Sequence, residues 1–366
     1  MADFYKEKLV QARLFWGMSL QDVGEKLGVS KQYIQQIENG AKVPNELFIG
    51  ALAEVLNVYP NFFETPVTNV MLESQCHFRK AKTTPISIKE RALQQSSLFE
   101  DLVDFVDDEL ALPAVNFNEA MPIDNEHIEQ AAEDCRKNWN IGLDCPVQNV
   151  AHYVEKAGAV ITMFNDISEK IDAFSVNKRR PIIIRNQPKN TACRFRFDIA
   201  HECGHLVLHN GVTTGDTETE TQANRFANAF LLPRGAFLRE FGPSFTSYRI
   251  NWRTLVSLKR KWKVSLSAII RRAYDLGIID AVKYRSAYIY MNNKGYMKKE
   301  PLDDDIPMEQ PFVMNKALSM LEKNGQLEYY LRNKKGIKAK FLEKLCGYKL
   351  CYSDNNVVSI DSYRFR

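Results

Sequence analysis

The feature that most constrains this chain is the pentapeptide His201-Glu202-Cys203-Gly204-His205. On an α-helix, residues four apart lie about one turn apart on one face, so both imidazoles can reach a single cation. Glu202 lies about 100° round the helix from His201, where its carboxylate can face a water held by that cation. A divalent ion lowers the pKa of such a water, and a neighbouring carboxylate can accept its proton. The spacing therefore predicts metal-assisted hydrolysis, with Glu202 as the general base.

The surrounding sequence bears on whether the two histidines are ligands or ordinary core residues. Residues 194–208 are predicted to form one buried helix, with polar groups at only a few spaced positions. Buried polar groups need partners, so an otherwise apolar helix does not keep two histidines and a glutamate without compensation. This favours the metal interpretation over a structural histidine pair.

A catalytic zinc takes three protein ligands and leaves a fourth position for water. Residues 220–233 are predicted to form a second helix with small residues on one face, which lets the two helices approach closely. That face carries Glu220, Ala223, Asn224 and Ala227. Glu220 is the predicted third ligand. Asp216 and Glu218 are alternatives, but they precede the apolar run and are expected to be solvated loop acids.

Two further polar residues are expected around the ligands. Asn224 follows Glu220 by one turn and is predicted to orient a ligand from outside the metal site. His209 is eight residues after His201, where the face has drifted by about 80°, so it is predicted to support the site or end the helix. Zn²⁺ is the expected ion, although two imidazoles and one carboxylate also accept Mn²⁺ or iron.

The segment H-E-C-G-H-L-V-L-H followed by E-T-Q-A-N-R-F-A-N-A-F-L-L-P resembles the ImmA/IrrE family of metallopeptidases, whose members often carry an Xre-type helix-turn-helix. The resemblance covers the amino-terminal segment and roughly residues 126–280. It implies that His201, His205 and Glu220 bind the metal and that Glu202 is the catalytic base. It also implies a protein substrate, a repressor of similar helix-turn-helix type. Cys203 departs from the apolar residue usual in the family, and is either core filler or a redox-sensitive thiol.

Residues 1–66 are predicted to form an all-α helix-turn-helix domain. A first helix is expected over 8–17, and Ser19 with Asp22 forms a capping box for a second helix from Leu20 to Leu27. Gly28 ends that helix, and Ser30 caps a third over 31–39. This segment resembles the Xre and lambda-repressor type of domain.

The third helix is predicted to present Lys31, Gln32, Gln35 and Gln36 outward, as base-edge readout in the major groove requires. The first 60 residues hold six Lys or Arg against seven Asp or Glu, a formal charge of −1. Phosphate neutralisation supplies most non-specific affinity, so a single copy should bind DNA weakly. The domain could read an operator as a dimer or dock on a related repressor. We favour docking with modest DNA contact.

The fold class expected for the whole chain is α+β. Residues 67–125 are predicted to be a helical connector, with a helix over 87–103 that is surface-docked or supports a homodimer. Residues 126–285 are predicted to be a zincin-like peptidase domain, with a small β-sheet beside the His201 helix. Residues 286–366 are predicted to be a mixed region of unknown role, ending in a strand over 359–366.

Specific elements are expected within the peptidase domain. Helices are predicted over 126–139 and from Pro146 to 156, and strands over 159–164, 171–176 and 181–185. An exposed strand edge could align an extended substrate. A basic helix pair, 252–262 and 265–276, could touch nucleic acid, but a solvated face on a structural cap is favoured.

Composition bounds the remaining possibilities. A chain of 366 residues with 45% apolar content can form two or three domains. No segment approaches 18 apolar residues and no signal peptide is apparent, so a cytoplasmic protein without a membrane partner is expected. Seven cysteines without C-x-x-C spacing favour reduced thiols over a disulfide framework. A net charge of +4 is too small to indicate a class of binding partner.

The spacing alone predicts metal-assisted hydrolysis. The resemblance implies the rest, a zinc-type metalloendopeptidase that regulates transcription by cleaving an Xre-type repressor. One alternative is a DNA-binding regulator whose peptidase-like domain is a sensor that does not cleave. Another is a toxin-antitoxin or anti-phage module. Metal content and turnover distinguish the enzyme from the regulator.

Overall fold

The computed structural model describes residues 3–70, 85–164, 173–186, 191–212, 214–246 and 249–351. In these residues the fold is α+β, as expected, with a small sheet among many helices. Among the same residues, no helix combines the length and apolar character needed to cross a membrane. The predicted final strand over 359–366 lies outside the described residues.

The amino-terminal helices form the expected helix-turn-helix. They are α1 (Lys6–Phe15), α2 (Leu20–Leu27), α3 (Lys31–Glu38) and α4 (Glu46–Val55), followed by a 3-10 turn (Pro60–Glu64). The Ser19 hydroxyl accepts from the Asp22 N–H at 3.1 Å, and the Asp22 carboxylate accepts from the Ser19 N–H at 2.7 Å. Gly28 then takes a left-handed φ of 66° that ends α2. The predicted capping box and α2 bounds are confirmed.

The connector contains one long helix, α5 (Ile86–Glu109), which continues past the end predicted at residue 103. Its acidic last turns are neutralised by a basic turn that follows β2. Arg180 pairs with Asp107 at 2.6 Å and Arg179 with Asp108 at 2.7 Å. These ion pairs explain why the acidic run does not end the helix.

The peptidase segment alternates helices with three strands. Its elements are α6 (Asn125–Asn138), α7 (Val150–Lys156), β1 (Val160–Phe164), β2 (Ala173–Val176), β3 (Ile182–Asn186), α8 (Ala192–Leu208), α9 (Thr217–Leu231), α10 (Arg234–Glu240), a 3-10 turn (Gly242–Ser244), α11 (Trp252–Trp262), α12 (Leu266–Asp275) and α13 (Ala281–Asn293). The helix expected to start at Pro146 starts instead at Val150, because the Asn149 side chain caps it by accepting from the His152 N–H at 2.9 Å.

The three strands form a sheet in the order β1-β3-β2. β1 is parallel to β3, with Val160 opposite Ile182, and β2 is antiparallel to β3, with Ser175 opposite Ile183. Alternate side chains face opposite layers. Ile161 and Ile183 pack into the core built on α8 and α9. The other face of the sheet packs into a second core.

That second core joins the two ends of the described chain. The carboxy-terminal region contains α14 (Val313–Lys323), α15 (Gln326–Tyr329), a π-helical turn (Tyr330–Lys335) and α16 (Ala339–Cys346). It packs with α1, α4, α5 and one sheet face around a common apolar cluster. Phe15 stacks on Phe341 with ring centroids 4.0 Å apart, and the Tyr59 N–H donates to the Gly336 carbonyl at 2.7 Å.

The carboxy-terminal region thus differs in detail from the mixed segment expected. Up to residue 351 its described helices are separated by turns and irregular backbone, most of it over residues 294–312, and a single β-bridge joins Ile337 to Val58. The boundary predicted between residues 285 and 286 falls inside α13. The division of the chain into four segments otherwise stays a prediction.

Candidate metal centre

Three predicted ligands converge between α8 and α9. The Nε2 atoms of His201 and His205 are 3.1 Å apart. One Glu220 carboxylate oxygen is 3.5 Å from His201 Nε2, and the other is 3.4 Å from His205 Nε2. The candidate ligand atoms all lie within 4.8 Å of one another. Both histidines are fully buried, and Glu220 is mostly buried.

These separations suit a small tetrahedral cation. Ligand atoms about 2.1 Å from such an ion lie about 3.4 Å from one another. The two Nε2 atoms are 3.1 Å apart, and each lies 3.4 or 3.5 Å from a different Glu220 oxygen, while one ligand atom from each residue falls within a 4.8 Å spread. Two imidazoles and one carboxylate are also a donor set that zinc accepts in catalytic sites. The residues present therefore fit a divalent metal.

The hydrogen bonds of the two imidazoles fix their tautomers. His201 Nδ1–H donates to the Asn224 side-chain oxygen at 3.0 Å, which leaves a lone pair on its Nε2. His209 Nε2–H donates to the Gln222 side-chain oxygen at 2.7 Å, so its Nδ1 is an acceptor. His205 Nδ1–H donates to that nitrogen at 3.0 Å. Both ligand rings therefore direct an Nε2 lone pair toward Glu220.

Burial favours the neutral form of His205, which is the form that binds a metal. It lowers the pKa of His205 to about 4, against the opposing effect of Glu220. It also lowers the pKa of His209. For Glu220, burial raises the pKa, but hydrogen bonds and charge from His201 and His205, present when their Nε2 atoms carry protons instead of a metal, outweigh it and bring the value to about 2. The carboxylate is therefore ionised at neutral pH.

Glu202 lies beside this cluster and contacts the sheet. It is fully buried, and its Oε2 accepts a hydrogen bond of 2.7 Å from the Ser175 hydroxyl. A hydrogen bond to one oxygen restricts rotation of the carboxylate. Glu202 directly follows the ligand His201 on α8, so the chain carries a positioned carboxylate in the same helical turn as a ligand, as metal-assisted hydrolysis needs.

The close approach of α8 and α9 depends on small residues. A Cβ at Gly204 would lie 3.1 Å from the Ala223 Cα and 3.1 Å from the Phe226 Cβ. Helices packed this tightly hold Glu220 within reach of the two histidines. The small residues expected on α9 include Ala223 and Ala227, and both are buried.

The thiol of Cys203 lies in the apolar core. It is fully buried, and burial raises its pKa well above the ordinary range. Reactive thiols are accessible and have a lowered pKa. These properties favour the core-filler interpretation over the redox-sensitive one.

The remaining candidate residues lie as follows. Asp216 caps α9 by accepting from the Glu218 and Thr219 N–H groups, and Glu218 is exposed, so neither joins the cluster. His209 ends α8 and contacts His205. Four side chains predicted to face outward from α3 are exposed in the structure: Lys31, Gln32, Gln35 and Gln36.

Sequence reasoning missed two residues of the site. Ser175 is the one polar residue of the four in β2, which could have drawn notice. Gln222 is two residues after Glu220, so helical periodicity assigns it to another face. It reaches His209 only because α9 passes the end of α8.

The fold and this geometry define a protein with a metallopeptidase-type domain behind a helix-turn-helix. The comparisons agree. Residues 154–274 match a peptidase family model described as an IrrE N-terminal-like domain, and residues 17–63 match one described as a helix-turn-helix. Together they confirm the resemblance to the ImmA/IrrE architecture with its amino-terminal DNA-binding type of module. The comparison with curated proteins found no match to this chain.

Proposed function

We propose that this protein is a zinc-type metalloendopeptidase that regulates transcription by cleaving a repressor of the helix-turn-helix type. The observation that carries the proposal is the convergence of His201 Nε2, His205 Nε2 and the Glu220 carboxylate beside Glu202. The match to a peptidase family over residues 154–274 supports hydrolysis of a peptide bond.

In the proposed reaction each residue has a defined task. His201, His205 and Glu220 would hold the ion, which when bound polarises the peptide carbonyl and makes a water acidic. Glu202 accepts a proton from the attacking water and returns it to the leaving amine. Ser175 holds the Glu202 carboxylate in position through the hydrogen bond of 2.7 Å. Asn224 and His209 hold the two imidazoles in the tautomers described above.

The sheet offers a means to align the substrate. β2 is an edge strand of the described sheet, and its residue Ser175 contacts Glu202. A peptide that pairs with this edge would be extended and would pass the catalytic carboxylate. We propose that β2 is the strand on which the scissile segment aligns.

The helix-turn-helix is proposed to bring the peptidase to its substrate. Lys31, Gln32, Gln35 and Gln36 are exposed on α3, whereas α1 and α4 pack into the core shared with the carboxy-terminal region. The free face of α3 is available to a related repressor domain or to DNA. A formal charge of −1 over the first 60 residues supports protein docking as the larger contribution.

The proposal is tested by co-expressing the protein with candidate helix-turn-helix repressors and measuring repressor cleavage. Wild type should cut one of them, and Glu202→Gln should retain metal but lose cleavage. Glu218→Gln is the matched control, because Glu218 is exposed and outside the cluster. If wild type and Glu202→Gln change repressor abundance and operator activity equally, the enzyme interpretation fails and the sensor alternative replaces it.

A further inference from the structure

A cavity of about 500 Å³ opens beside the metal centre. It is lined by α8, α9, α12, α13 and the segment around residues 296–303. Asn224, which accepts the hydrogen bond from His201, is part of its wall. Phe197 and Arg194 also line it, and they precede His201 by four and seven residues, or about 6 and 10 Å along the helix. The cavity therefore lies next to the metal centre and shares Asn224 with its surroundings, although none of the three ligands lines it.

The acidic groups of this cavity already have partners. Asp275 pairs with Arg271 at 3.0 Å. Glu300 and Asp303 each contact the buried Lys259 ammonium at 2.6 Å. These carboxylates are thus compensated from within the fold.

Two basic groups of the cavity are not compensated in this way. Arg194 pairs with Asp198 at 2.9 Å, but the side chains of Arg225 and Lys298 have no ion pair or hydrogen bond within the described ranges. Arg225 is half-buried on α9, directly after Asn224. The cavity therefore carries positive charge that no acidic residue neutralises, and the half-buried group with this charge is the Arg225 guanidinium.

Asn228 places a second, independent requirement on a ligand of the cavity. It lines the cavity and is only 3% exposed. Its Oδ1 has no hydrogen-bond partner among the described residues. A buried acceptor without a donor is costly, and a turn of the Asn228 amide that brings Oδ1 to the cavity lets a ligand N–H satisfy it.

We propose that this cavity is a subsite that binds an acidic residue of the substrate polypeptide. The side-chain carboxylate pairs with Arg225, and a main-chain N–H of the same segment donates to Asn228 Oδ1. A polypeptide supplies both an anion and a donor, whereas a phosphate group offers mainly acceptors. Arg225 follows the ligand Glu220 by five residues, or about 7.5 Å along α9, and at about 3.3 Å per extended residue this distance puts the acidic residue two or three positions from the scissile bond. The placement of this acidic residue near a bond that is cleaved rests on the proposed function.

Binding of peptides tests the chemistry of the cavity. The protein is full-length, metal-loaded Glu202→Gln, which should bind without cutting. The probes are fluorescein-labelled hexapeptides that differ only in a central Glu, Gln or Lys, and the readout is fluorescence anisotropy. The Glu peptide should bind about tenfold more tightly than the Gln peptide, as a partly buried charge-assisted pair would give.

Variants then locate the preference. Arg225→Gln should abolish the preference for Glu, and Arg225→Glu should transfer it to the Lys peptide. Arg253→Glu is the control, because Arg253 is exposed on α11 and does not line the cavity. Equal binding of the Glu and Gln peptides overturns the proposal, as does a preference that survives in both Arg225 variants. Tighter binding of ATP than of any peptide, lost in Arg225→Gln, would show a nucleotide site instead.

Cleavage of a peptide mixture by wild type separates this proposal from the proposed function. Acidic residues should be enriched two or three positions from the cut, and the enrichment should vanish in Arg225→Gln. Charge-dependent binding without any cleavage would support the acidic-peptide cavity and overturn the peptidase. Cleavage without an acidic preference would leave the peptidase standing and overturn the subsite.

Discussion

Ser175 in β2 donates a hydrogen bond of 2.7 Å to Oε2 of Glu202 in α8, which joins the sheet directly to the carboxylate beside the metal ligands. Both side chains are fully buried. A buried carboxylate that loses a donor is both less well positioned and less well stabilised. The contact therefore makes Ser175 a positioning residue for the proposed general base.

Replacing Ser175 with alanine is expected to lower kcat by about tenfold with little change in metal content, since a hydrogen bond to a charged group is worth roughly 1.5 kcal/mol or more. Steady-state kinetics on a cleaved substrate, together with elemental analysis, would measure both. Ser286→Ala, on the exposed side of α13, is the control. Unchanged kcat in Ser175→Ala would remove the residue from the mechanism.

The chain of contacts from Gln222 through His209 to His205 is expected to tune metal affinity. His209→Phe and Gln222→Leu should each weaken binding by about 10- to 100-fold, because outer partners orient a ligand and maintain its tautomer. Competition with a chromogenic chelator gives the affinity. Gln130→Leu, on the exposed face of α6, should bind metal as wild type does. Affinities equal to the control would mean that the tautomer of His205 is set in another way.

Gly336 is expected to be essential where the carboxy-terminal region meets the amino-terminal domain. It has a φ of +65°, and a Cβ there would lie 2.7 Å from the Phe62 Cα. Gly347 has a similar φ of +76° but open space around it. Gly336→Ala should therefore lower the free energy of unfolding by about 2 kcal/mol more than Gly347→Ala does. Urea denaturation of the two variants tests this, and equal losses would argue against tight packing at Phe62.

Glu155 is expected to make stability depend on pH. Burial raises its pKa to about 7, although the N–H groups of Phe312 and Val313 donate to it and oppose the shift. Because the folded state holds the proton more tightly, the stabilisation is complete below about pH 4.5 and is lost as the pH rises through about 7. Relative to Glu155→Gln, wild type should gain about 2 to 3 kcal/mol between pH 8 and pH 5.

Urea denaturation of wild type and Glu155→Gln at several pH values measures that difference. The substitution keeps an acceptor near the start of α14 but cannot ionise, so other titrating groups cancel in the comparison. A difference that does not vary with pH would show that Glu155 keeps the same charge in the folded and unfolded states.

Local patterns were enough to predict some of these features. Helical periodicity brings His201 and His205 to one face, and it also gave Glu220 as the nearby acid, because both depend on spacing within a helix. The capping box of Ser19 and Asp22 is local in the same sense. The roles of these residues at the metal centre stay predictions.

Long-range relationships could not be predicted in this way. Ser175 reaches Glu202 because the sheet has the order β1-β3-β2, which puts β2 at an edge against α8. The stacking of Phe15 on Phe341 joins residues more than 300 positions apart. Neither follows from periodicity, since it depends on how separate elements pack.

The central claim is that one divalent ion is held by His201, His205 and Glu220. Elemental analysis of purified wild type, Glu220→Ala and Glu218→Ala tests it most directly. The account predicts close to one ion per chain in wild type and Glu218→Ala, and a marked loss in Glu220→Ala. Full metal content in Glu220→Ala, with loss in Glu218→Ala, would contradict it.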